Sequence, residues 1–217
     1  MRTKKAPRSM FGANRHRSLL ANLFIYVLLI SFARCGYVYA EELPFKTLKI
    51  EYSITLTQPD SKCEGSKTVC IDAVNNKRRE KSIQNSTGKT RKGNDFNRKK
   101  ESLRISTGEK EYIIYWPDTD VAYSIDLTGL FIAYEDPEAR YADLMDPIGE
   151  ESVLGKRCKI FEKDDEKIWL WGKILMRKES ERDLEYYRIE ATGIEEDIYI
   201  DPRDFELPSS VVKVNKY

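Results

Sequence analysis

The chain has 217 residues and a formal net charge of +1, from 37 Lys and Arg against 36 Asp and Glu. That length suffices for one domain with a real core. Its only histidine, His16, lies near the start, so the rest of the chain lacks the usual general base, the Ser-His-Asp arrangement and most zinc sites.

In chain order, Met1 to Ser18 carries Arg2, Lys4, Lys5, Arg8, Arg15 and Arg17 and no acid. Leu19 to Ala33 is uncharged and almost wholly apolar, and Val38-Tyr39-Ala40 ends on small residues before Glu41. A basic segment, an apolar run and a V-x-A pattern read as a secretory signal over residues 1–40. The run is shorter than the ~20 residues of a spanning helix. The alternative is an uncleaved inner-membrane anchor through residues 19–33. Either way the expected location is the periplasm or cell envelope. The signal holds seven of the 37 basic residues and none of the 36 acids, so residues 41–217 carry −6. These residues read as a single β-rich domain.

Leu48 to Thr57 alternates strictly, with Leu48, Ile50, Tyr52, Ile54 and Leu56 on one side and polar residues on the other. That period predicts a half-buried strand of an antiparallel sheet. Gln58 to Ser61 is a turn signal and Thr68 to Val74 a return strand. Residues 75–100 are polar, and residues 86–100 read as a long, mobile basic loop. Ser86-Thr87-Gly88-Lys89-Thr90 looks like the end of a phosphate-binding loop, but Ile83 stands where its first glycine belongs. Short strands follow over 102–107, 110–116 and 121–127. Asp136 to Met145 is the best helix candidate, with Asp136 as cap and Pro137 in the first turn. Strands are expected again over 157–162, 166–171, 174–179, 184–194 and 196–200, and a helical turn at 201–205.

Charge is uneven. Residues 62–110 hold 14 basic and 6 acidic side chains, and residues 111–217 hold 14 and 26. Such asymmetry suits either two solvated surfaces or a face for an anionic partner. No nucleic-acid motif accompanies the basic stretch, so nucleic acid is not an expected partner. Beyond the signal, the cysteines are Cys63, Cys70 and Cys158. An exported compartment permits a disulfide, with Cys63 and Cys70 as the first candidates across a tight loop. Either could instead meet Cys158, or no bridge forms. Asp164-Asp165-Glu166 and Glu195-Glu196-Asp197 supply acids, but at expected turns and edges, where carboxylates are solvated.

The string Glu151-x-x-Leu154-Gly155-x-x-Cys158, the strand pair around Trp169 and Trp171, Glu190-Ala-Thr192-Gly and Phe205-Glu-Leu-Pro208 together resemble the exported bacterial outer-membrane lipoprotein-sorting and carrier family (LolA/LolB-like), with its related domains of unknown function. The resemblance spans residues 45–210, apart from 85–100. It implies a strongly curved antiparallel sheet, a half-open barrel around an apolar cavity, with short helices as a lid. It also implies a non-enzymatic carrier or binder of lipid or lipoprotein acyl chains, with no cofactor and no metal. The alternative is an envelope protein–protein interaction module with no lipid ligand. Trp116, Trp169 and Trp171 are the candidates for the cavity wall; filling the core is the other role open to them. N-terminal sequencing of the exported protein is expected to begin at or close to Glu41. Met1 intact on protein in the soluble cytoplasm would contradict export.

Overall fold

The computed structural model describes residues 44–107, 111–116, 121–126, 135–207, 209 and 211–215. The expected signal at 1–40 lies outside them. Among the described residues twelve strands form one sheet in the order β12-β6-β5-β4-β3-β2-β1-β11-β10-β9-β8-β7. They are β1 Thr47–Gln58, β2 Ser61–Asp72, β3 Lys77–Lys89, β4 Asp95–Thr107, β5 Glu111–Trp116, β6 Val121–Asp126, β7 Gly149–Val153, β8 Lys156–Lys163, β9 Glu166–Trp171, β10 Ile174–Arg182, β11 Glu185–Glu196 and β12 Val212–Asn215. One short helix, α1 (Pro137–Ala142), and a 3-10 helix (Pro202–Phe205) complete the described elements. The protein is therefore mainly β, as the alternation predicts. Neighbouring strands are antiparallel except β12, which runs parallel to β6. The edge strands β7 and β12 do not pair, so the sheet stays open.

Hairpin chemistry sets this order. Leu154 and Gly155 link β7 to β8 with φ of 51° and 76°, the left-handed pair that a two-residue turn requires. Asp164 and Asp183, at φ 54° and 53°, serve the β8–β9 and β10–β11 turns, since Asp tolerates that region. The acids read as turn residues, Asp164 and Asp165, are therefore in a turn.

The sheet also curls. Lys156 on β8 pairs with Glu196 on β11, three strands away. Strands sit ~4.8 Å apart in a sheet, so a flat sheet would hold these two apart by roughly 14 Å. Phe45, just before β1, meets Trp171 on β9 with ring centroids 5.5 Å apart. Curling is possible because β11 pairs with β10 only from Glu185 to Glu190. Its remaining residues pair with β1 alone, across a bulge at Glu51/Tyr52.

Side-chain alternation gives the sheet two faces. Leu48, Ile50, Tyr52 and Ile54 of β1 lie beside Val69 and Ile71 of β2 and Ile189 and Ala191 of β11, and all are buried. Ala139 and Ala142 of α1 join the same cluster, which makes this the helix face. On the opposite face Cys70, Ile105 and Leu103 pack against Phe205, Ile200 and Leu207 of the C-terminal segment. Asp201 caps the 3-10 helix by accepting from the Arg203 N–H at 2.9 Å.

Three expectations are corrected. Residues 86–100 are not a long loop: β3 runs to Lys89, β4 starts at Asp95, and only five residues separate them. Backbone ladder bonds hold this hairpin, so it needs no apolar side chains, and the polarity that suggests a loop is the polarity of a solvated ribbon. The Ser86–Lys89 stretch is strand and cannot cradle a phosphate as a loop does. The Cys63–Cys70 disulfide is not made, and all three cysteines among the described residues are free thiols. Both lie in β2, seven positions and so roughly 23 Å apart, on opposite faces. A bridge needs Cα atoms within about 7 Å. The expected strand over 196–200 is absent, since β11 ends at Glu196.

The face assignment predicts a contrast between two substitutions on one strand. Ile54→Asp should destabilise the protein by several kcal/mol, since it buries a carboxylate with no partner. Thr57→Asp, at an exposed position, should stay within about 0.5 kcal/mol of wild type in urea unfolding.

Candidate functional site

Helix α1 is only six residues long, so packing and polar contacts must hold it in place rather than propensity. Asp136, the residue before it, was expected to cap the helix. Its carboxylate instead turns into the sheet, where it accepts from the Arg78 guanidinium and, at 2.8 Å, from the Leu175 N–H. Arg78 also donates from Nε to Glu80 at 2.7 Å. Tyr52 donates its hydroxyl to the Leu175 carbonyl at 2.7 Å. Four strands, β1, β3, β4 and β10, meet the helix entrance through this network, since Arg104 of β4 lies 4.0 Å from Glu80. Arg78 and Asp136 are both buried, at 4% and 1% exposure.

Charge is kept in this buried place by mutual compensation. Burial works against the Arg78 charge, but Asp136 and Glu80 outweigh it and raise the guanidinium pKa. Burial works against the Glu80 carboxylate as well; Arg78, then Lys67 and Arg104, prevail and lower its pKa to about 2. Burial, with Asp136 beside it, pushes the Tyr52 phenol well above its ordinary range.

Beside this network the helix leaves a gap over β8–β10. A cleft of about 340 Å³ is lined by Met145, Phe161 and Ile168 among charged residues that include Glu138, Lys163, Lys178 and Arg182. Phe161 and Ile168 are buried and form its floor, while Lys163 and Arg182 are exposed at its rim. Lys178 bridges helix and sheet, 3.7 Å from Glu138 and 3.0 Å from Glu166.

The tryptophans lie elsewhere. Trp169 stands opposite Arg177 in the β9–β10 register, while Ile168 stands opposite Lys178. Since Lys178 reaches the helix, Trp169 and Trp171 share the other face. Trp169 is buried, donates its indole N–H to Glu151 at 2.8 Å and lies under the Arg177 guanidinium, 4.9 Å from the ring centre. The Trp169 N–H and then Arg177 hold the Glu151 carboxyl below its usual range. Trp171 packs on Phe45 beneath the Lys156 ammonium, 4.5 Å away. Neither lines the cleft; both fill structure, which is the other role the sequence left open. Trp116 ends β5, and its side chain lies outside the described residues.

The other acids are spread out. Glu195 pairs with Lys49 at 2.9 Å, Glu196 pairs with Lys156, and Asp197 accepts from the Lys46 N–H at 2.8 Å. Burial raises the thiol pKa of Cys70 and of Cys158. Sequence reasoning missed the Arg78–Asp136 pair. Arg78 shares a face with Val69 and Ile71 through the β2–β3 register, which alternation within a single strand does not supply.

No protein-family model matches the chain, and no curated protein matches it in sequence.

Glu80 gives the network a pH dependence. Its folded pKa lies below the ordinary carboxylate value of 4.5, so its contribution is complete above that value. It is lost as pH falls from about 4.5 toward about 2. A depression of this size corresponds to about 3 kcal/mol at most. Glu80→Gln should therefore flatten the acid limb of the stability–pH curve between pH 5 and 2, as followed by thermal melts.

Proposed function

We propose that this is an exported, non-enzymatic binder of an amphiphilic ligand, a lipid or an acylated lipoprotein, working in a cell envelope. The observation that carries the reading is the cleft between α1 and the open sheet. Met145, Phe161 and Ile168 offer an apolar floor on which an alkyl chain would lose contact with water, each buried CH₂ contributing about 0.8 kcal/mol. Lys163 at the rim would meet an anionic headgroup, with Arg182 joining it on leaving Asp165, 3.6 Å away; Asp164 and Glu166 lie beside them. The open, curled antiparallel sheet with a small helix over one face supports the resemblance to the lipoprotein-sorting carriers, as do the motifs of residues 151–208. The apolar stretch at residues 19–33 supports export.

The ligand-binding residues in this reading differ from the tryptophans. The chain would lie over β8–β10 on the helix face, and Trp169 and Trp171 would act only as the packed back of that wall. A second reading, an interaction module for another envelope protein, is favoured by β7. Among the described residues this strand ends the sheet, which leaves its outer N–H and C=O groups for strand addition.

Calorimetric titration with an anionic lysophospholipid below its micellar concentration tests the first reading. Saturable binding with a negative heat-capacity change is expected. Met145→Glu and Lys163→Glu should each weaken it tenfold or more, while Thr57→Ala, at an exposed position of β1 away from the cleft, should stay within twofold. If the wild-type protein binds no amphiphile, the interaction module takes the place of the carrier.

A further inference from the structure

The β3–β4 turn and the strand ends beside it form a ribbon whose charge is nearly all of one sign, paired with β2 as far as Gly88 and unpaired on its β4 side before Leu103. Residues 86–100 carry Lys89, Arg91, Lys92, Arg98, Lys99 and Lys100 against a single acid, Asp95. All six cations are exposed. β5 pairs with β4 only from Leu103 to Ser106, so residues 95–102 of β4 form an edge among the described residues. The register distributes the cations around the ribbon: Arg98 and Lys100 on the helix face, Lys89 and Lys99 on the other, Arg91 and Lys92 in the turn.

The two faces differ in how that charge is met. On the face opposite the helix, Lys99 pairs with Glu101 at 2.6 Å, and Lys62 pairs with Glu64 at 2.5 Å. No carboxylate among the described residues forms an ion pair with Arg91, Lys92, Arg98 or Lys100. Arg98 instead lies over the ring of half-buried Phe96, 5.5 Å from its centre. Protection of an exposed edge against pairing with other chains is served by charge, Lys above all, and accounts for the cations on β4. It does not account for Lys89 on β3, an inner strand, or for Arg91 and Lys92 in the turn, in a domain whose residues 41–217 are otherwise acidic.

We propose that this basic ribbon docks the protein, tip first, on an anionic phospholipid membrane. Charge complementarity selects an anionic partner, and shape selects a membrane. The cations lie on both faces of the free β4 edge and in the turn rather than line a groove, so they address an extended surface and not a single peptide strand. Clustered Lys and Arg near a bilayer interact with its anionic headgroups over about a Debye length. The nearby cleft between the β1–β2 turn and the ribbon is not the recognising element, because Asp60 and Asp95 line it with Lys89. The proposal stands apart from ligand binding in the α1 cleft, which uses other strands.

The test is amine-labelling footprinting of the full chain, read by mass spectrometry residue by residue. This local readout is insensitive to any membrane affinity of residues 1–40. Vesicles of phosphatidylcholine with 30% phosphatidylglycerol should slow labelling of Lys89, Lys92, Lys99 and Lys100 at least fivefold. Pure phosphatidylcholine vesicles should not. Lys159, exposed on β8, should label at an unchanged rate with either. Arg91→Gln with Arg98→Gln should reduce the protection to less than twofold, while Arg157→Gln with Arg203→Gln, removing the same charge elsewhere, should leave it intact. Unchanged labelling at the ribbon, equal protection by neutral vesicles, or protection by polyglutamate but not by anionic vesicles would each overturn the proposal. Lysophospholipid titration of the double variant separates the two readings: loss of docking with cleft binding retained is the expected result, and loss of both overturns the independence of the ribbon.

Discussion

The buried pair between Arg78 and Asp136 is the constraint on which the arrangement of helix and sheet depends. A six-residue helix cannot hold its own shape in water, and two buried alanines give it little apolar grip. The carboxylate at its entrance supplies the missing specificity. It ties the chain to β3 through Arg78 and to β10 through the Leu175 N–H. Such a pair adds little net stability compared with apolar residues of the same shape, because both charges were taken out of water. Breaking it is another matter, since the remaining charge would be buried alone. The pair therefore dictates where the helix sits more than how stable the domain is. The cleft beside the helix inherits its position from that anchor.

The sheet itself is divided along its strands. Near one end, β1, β2, β10 and β11 bury Leu48, Ile50, Val69, Ile71, Leu175 and Ala191. Toward the other end, β2, β3 and β4 run on as a ribbon that is polar on both sides. Two glycines mark close approach there. A Cβ on Gly65 would stand 2.4 Å from the Ile83 carbonyl oxygen, and one on Gly88 would stand 2.3 Å from the Asp60 carbonyl oxygen. The ribbon is thus held by backbone bonds and close strand contact, with little buried apolar area. Local opening costs least in such a region, and binding segments are drawn from regions of this kind.

The two proposed roles use different parts of one sheet. The α1 cleft offers an apolar floor with charges at the rim, and the ribbon offers a cationic tip. For a protein that exchanges an amphiphile with a membrane, separating docking from holding is physically sensible. In such a protein, salt-sensitive contacts at the ribbon would set how often the membrane is met, and apolar burial in the cleft would set how long the ligand stays.

Much of the fold was legible in the sequence. Strict alternation from Leu48 to Thr57 located β1 and its buried side, and Gln58–Ser61 and Asp164-Asp165 located two of the hairpin turns. The 3-10 helix was legible from Asp201-Pro202. The ribbon was misread because composition reports what side chains want, whereas a ladder is built from backbone groups common to every residue. The disulfide was misread for a related reason: seven residues are a short contour in a loop but a long one in a strand. Trp169 and Trp171 share one face of β9, yet alternation alone could not say which face the helix would cover. By itself the sequence determined element type and facing, because those follow from local periodicity. The partner of Arg78, the burial of Asp136 and the site of the cleft were decided only in the tertiary structure. They join residues 58 positions apart, and no local pattern carries information about a charge that becomes buried only when distant strands close over it.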